Sequence, residues 1–107
     1  LVILEGLKFY LNMEILKNYQ ERIEQYGARL ALGETLSLDE EFEYAEAVHF
    51  IDIHNFREAP EDQRQKFYNR AVESHKRVHE LERRIYGNDF VSPGLIDPET
   101  DRRNGVH

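Results

Sequence analysis

His75 and His79 stand four residues apart in AVESHKRVHELERRIYG, residues 71–87. In a helix that spacing stacks both imidazoles on one face, where together they could hold a divalent metal. Two ligands do not make a site. The nearest further candidates are Glu46 and His49, which spell Glu-x-x-His, one half of a di-iron signature. Carboxylate di-iron bundles use two such motifs and two further glutamates, so this chain would need a second copy to complete one. The competing reading, which we favour, is that His49 is centred in an apolar stripe and His75 lies at the edge of another. Both then pack and hydrogen-bond, and no cofactor is expected.

A second chemistry begins at Arg70-Ala-Val-Glu-Ser-His75. This hexapeptide resembles the Arg-x4-6-His motif of HEPN ribonucleases, a family of small helical domains that cleave RNA across a dimer. The resemblance covers these six residues and implies that Arg70 contacts phosphate while His75 serves acid–base cleavage. Nucleic-acid binding without cleavage has less support. Residues 57–86 carry eight bases against six acids, with Tyr68 and Tyr86 nearby, but Glu73, Glu80 and Glu82 interleave with the bases. Local pairs such as Glu73–Arg77 and Glu80–Arg84 account for them, and a net charge of −7 repels a polyanion. No nucleic-acid partner is expected.

The remaining standard sites are missing from the sequence. The chain has no cysteine, which removes thiol catalysis, disulfides and Cys-ligated metals. It has no Walker loop, dinucleotide glycine fingerprint, nucleophile elbow or calcium loop. Asp97 and Asp101 read as turn and solvent residues.

Three helices must position whatever the chain does. Leu4, Leu7, Leu11, Ile15, Tyr19, Ile23, Tyr26 and Leu30 recur at steps of three and four and predict a first helix over 4–31. Gly33 is placed to cap it. Ser37-Leu-Asp-Glu40 is a capping box that starts a second helix at Leu38, ending near Phe56 or Arg57. Pro60 suits the first turn of a third, which runs to Tyr86 with Gly87 as its cap. These make an all-α chain: one domain over 1–87, a three-helix antiparallel (up-down-up) bundle, followed by an extended C-terminal tail over 88–107. Phe90, Val91, Leu95 and Ile96 give that tail apolar groups with which to dock.

The helix faces predict more packing partners than one bundle offers. In the second helix Leu38, Phe42, Ala45, His49 and Phe56 lie on one side, with Tyr44, Ala47, Val48 and Ile51 nearly opposite. The third carries one seam of Phe67, Ala71, Ser74, Val78, Leu81 and Ile85 and a second of Tyr68, Val72, His75, His79 and Tyr86. Surplus apolar surface marks interfaces. The expected function is therefore a non-enzymatic protein–protein interaction module that completes its core as a homo-oligomer, most simply a dimer. Tyr44, Val48, Ile51, Tyr68, Val72 and Tyr86 are the expected contact residues. Glu46, His49, His75 and His79 are the ligands of the metal alternative. The opening LVILEGLKFYLNMEIL is apolar, but Glu5, Lys8 and Glu14 interrupt it before the roughly 20 apolar residues of a membrane span. A cytoplasmic protein without a membrane partner is expected.

Overall fold

A computed structural model of the chain describes residues 2–88 and 97–103. Among the described residues every regular element is helical: α1 (Val2–Ala31), α2 (Leu38–Glu58), a 3-10 turn (Glu61–Gln63), α3 (Arg64–Tyr86) and α4 (Pro98–Arg103). None of these helices is long and apolar enough to cross a membrane.

The helix ends follow the local chemistry of the sequence. Gly33 adopts φ +83°, its N–H bonds Leu30 O at 3.0 Å and the Glu34 N–H bonds Arg29 O at 3.1 Å. That pair of bonds is a Schellman motif, and it needs a residue that enters the left-handed region without strain. Ser37 then caps α2: its hydroxyl accepts the Glu40 N–H, and Glu40 accepts the Ser37 N–H at 2.9 Å. Glu40 also binds the Arg29 guanidinium at the end of α1. Arg29, with the Ser37 N–H in support, holds the Glu40 carboxyl down at about 2. The α1–α2 turn is thus fixed from both sides.

Pro60 does not open α3 as its position suggests. It is extended, at ψ 156°, and precedes a tightened 3-10 turn closed by Gln63 N–H to Pro60 O at 2.9 Å, so α3 starts at Arg64. The C-terminal tail is not extended throughout either, because Pro98–Arg103 forms a short helix. Asp97 accepts the Glu99 N–H at 3.0 Å and Pro98 takes the first helical position, which is the chemistry of a helix start. Pro98 is buried, the Tyr68 hydroxyl donates to Glu99, and the Arg102 guanidinium lies 5.1 Å from the Tyr68 ring centre. Phe90, Val91, Leu95 and Ile96 fall outside the described residues.

α2 is the central element, packed against α1 along one side and α3 along the other. Tyr19 stacks on Phe50, Tyr26 meets Tyr44 edge-on, and Arg29 binds Glu40. On the opposite flank Phe42 meets Tyr86, His49 meets Ser74, and Phe56 meets Tyr68. In both seams the partner's number falls as the first residue's number rises. The two neighbours that the two-sided composition of α2 demands are therefore α1 and α3 of the same chain. The core proper lies in the α2–α3 seam, where Ala45, Val78 and Leu81 cluster under Leu38 and Phe42.

Charge follows the same plan. Glu41 lies 3.6 Å from Arg77 and 3.9 Å from Arg84 on α3, and Glu46 lies 4.0 Å from Arg22 on α1. The expected Glu73–Arg77 and Glu80–Arg84 pairs give way to Glu73–Lys76 and Glu80–Arg77 at i, i+3 spacing. Arg77 and Arg84 can then reach the acidic helix beside them. Such exposed pairs are each worth no more than about 1 kcal/mol.

Candidate functional site

Two features share the α2–α3 seam: a row of buried and half-buried polar side chains and an open cleft. His49 projects from α2 into the seam, only 3% exposed, with Nδ1 2.9 Å from the Ser74 hydroxyl oxygen on α3. Ser74 can donate its one proton to Ala71 O, 3.2 Å away, or to the neighbouring Asp52 carboxylate. When Ser74 donates to either of these, its oxygen can accept from His49 in the tautomer that carries hydrogen on Nδ1. Burial pushes the Asp52 carboxyl up, against the opposing influence of Ser74, His49 and Arg70.

Beyond His49 the row continues along α3. The His75 ring centre lies 5.4 Å from that of His49 and 4.4 Å from that of His79. His79 Nδ1 lies 3.6 Å from a carboxylate oxygen of Glu82. Glu82 is only 1% exposed, and among the described residues neither of its oxygens has a hydrogen-bond partner. Sequence reasoning treated Glu82 as one of several surface acids. The signal that could have placed it inside is its i, i+7 relation to His75, which continues the same face.

The predicted metal set does not assemble as a unit. His49, His75 and His79 come together, but Glu46 points the other way, to Arg22 on α1. Among the described residues no three His, Asp or Glu side chains converge where they could hold a metal ion. The residues of the ribonuclease-like motif also part company. Arg70 lies on the cleft wall with its guanidinium 5.5 Å from the Phe67 ring centre, whereas His75 lies within the imidazole row.

Burial, followed by the nearby His79 and His49 rings, holds the His75 imidazole below its ordinary value, with Asp97 opposing. The stability consequence has a definite sign. Between the unfolded value of about 6.5 and the depressed folded value, the unfolded chain binds the proton that the folded chain refuses. His75 therefore contributes stability above about pH 6.5 that is lost as pH falls through its folded value. Thermal melts of the wild type should move to lower temperature between pH 7 and 5, and His75→Gln should flatten part of that slope. An equal slope in the variant would remove His75 from the account.

The cleft opens over α2 between the end of α1 and the side of α3. It encloses about 710 Å³, within the roughly 300–1,000 Å³ of known binding pockets. Leu30, Leu36, Tyr44 and Val48 supply its apolar wall, and its polar wall mixes both signs of charge, with Asp52, Ser74 and Arg70 among residues that also include Glu41, Glu73 and Arg77. Of the six expected contact residues, Tyr44 and Val48 therefore line it. Ile51 and Val72 are half-buried elsewhere, Tyr68 is covered by α4, and Tyr86 stays exposed beside Phe42. Leu30 and Leu36 were missed as wall residues because one belongs to the α1 stripe and the other to a connecting loop. No protein-family model, curated protein or solved structure matches the chain.

Proposed function

We propose that the chain is a non-enzymatic, cytoplasmic interaction module that acts as a homo-oligomer, most simply a dimer. The observation that carries this reading is the cleft over α2: a wall of Leu30, Leu36, Tyr44 and Val48 encloses about 710 Å³ that no described side chain fills. Apolar walls around open volume forgo both dispersion contacts and release of water. Inserted side chains of another polypeptide recover both. The opposed residue order of the α1–α2 and α2–α3 contacts supports an up-down-up bundle, in which such a cleft marks the place of a further packed element. Absence of cysteine fits a reducing compartment.

The reading is tested by native mass spectrometry of untagged protein purified without chelators, since one spectrum reports subunit number and bound metal. A metal-free dimer or higher oligomer at high micromolar concentration is the expected result. A monomer throughout, or a stoichiometric metal lost in His75→Ala and His49→Ala, would overturn it.

A further inference from the structure

Tyr68 joins α4 to the rest of the molecule. Its hydroxyl donates to Glu99, its ring centre lies 5.1 Å from the Arg102 guanidinium, and Arg102 in turn lies 3.8 Å from Glu99. On the bundle side the same ring meets Phe56 of α2, centre to centre at 5.6 Å. Among the described side chains of α4, Pro98 alone is buried.

Two observations set this contact apart from the rest of the fold. α4 has six residues, whereas an isolated helix needs roughly 12–15 to persist in water. It is helical because it is docked, so undocking and unfolding are one event. The α2–α3 seam, in contrast, is closed by the buried cluster of Ala45, Val78 and Leu81. Opening that seam exposes a core. Opening the α4 contact exposes one proline, part of a tyrosine, and polar groups that water can satisfy. The Arg102 and Glu99 side chains are already 59% and 38% exposed, and ion pairs so placed add little. Release of α4 therefore costs far less than unfolding of the chain.

We infer that α4 is a detachable latch on Tyr68: it releases and unfolds as one unit while the three long helices stay folded, and its release bares Tyr68. Tyr68 is one of the residues expected at an interaction face, which the closed latch withholds from a partner. That consequence rests on the interaction reading above, whereas the opening itself does not.

The chain has no cysteine, so a single introduced thiol reports on its own position. Pro98→Cys places one under the latch and Val78→Cys places one in the seam. Under native conditions the first should react with a disulfide reagent at least about a hundredfold faster than the second, because it needs only the local opening. Adding Tyr68→Phe, which keeps the ring and removes the donor, should speed labelling at Pro98→Cys by about fivefold. Equal rates at the two thiols would mean that α4 opens only with the bundle. A rate unmoved by Tyr68→Phe would mean that the tyrosine does not hold it. Either result overturns the latch. Because Pro98→Cys itself alters α4, tryptic cleavage of the cysteine-free chain supplies a second reading. Cleavage after Arg102 should precede cleavage after Arg77 within α3 and should quicken in Tyr68→Phe, and simultaneous cleavage at both sites overturns the latch as well. Both measurements read the opening in monomer and oligomer alike. A failed latch thus leaves the interaction reading standing, and a chain that stays monomeric leaves the latch standing.

Discussion

Replacing Glu82 by methionine is expected to raise the stability of the chain, by about 1–3 kcal/mol. The direction is the informative part, since most substitutions at positions this buried destabilise. The Glu82 carboxylate is withdrawn from water, and among the described residues neither oxygen accepts a hydrogen bond and the nearest basic group is the His79 imidazole, 3.6 Å away. Withdrawing a carboxylate from water costs several kcal/mol, and a single imidazole at that distance offsets only part of it. Methionine has similar length and helix propensity and bends to fill irregular space. His79 loses its carboxylate in the variant, but its side chain is 33% exposed and can hydrogen-bond to water instead. Urea unfolding at pH 7.5 checks the direction. A midpoint that falls at pH 7.5 would show that the carboxylate stabilises the seam.

Leu81→Ala, one residue earlier, should have the opposite and larger effect. Leu81 is 0% exposed and closes the cluster with Ala45 and Val78 beneath Leu38 and Phe42. Its helical neighbours on that face are small or branched, so little can move into the space left behind. Loss of transfer energy and the residual cavity together cost about 3 kcal/mol, within the usual 2–5 for such truncations. That is a large share of the roughly 5–15 kcal/mol available to a domain of this size. The melting temperature should fall by on the order of 10 °C or more. Circular dichroism melts decide it, and a drop under about 3 °C would mean that the α2–α3 seam repacks freely. Adjacent residues on one helix thus bear opposite expectations, set by what surrounds each side chain.

By itself the sequence determined the three long helices and most of their ends, though not the 3-10 turn that delays α3 to Arg64. Steps of three and four, the Ser37–Glu40 box, Gly33 and Gly87 act within one or two turns, and their bonds are local enough to be read residue by residue. It also showed that α2 is apolar on two sides. The short helix at Pro98 was legible too, in Asp97-Pro98-Glu99, but the flanking glycines and prolines gave the whole tail the look of an extended segment.

Only the tertiary structure decided which neighbours those faces meet. Composition shows that α2 needs two partners, yet it cannot distinguish α1 and α3 from a second chain, because hydrophobic attraction carries no address. Azimuth around the helix axis separated Glu46 from His49, sending one to Arg22 and the other to Ser74, although they are three residues apart. Tertiary packing likewise turned Glu82 inward and left the cleft beside Tyr44 and Val48 open. Burial, cavities and the meeting of side chains from different helices are set by how elements approach in space. Spacing along one element leaves that approach undetermined.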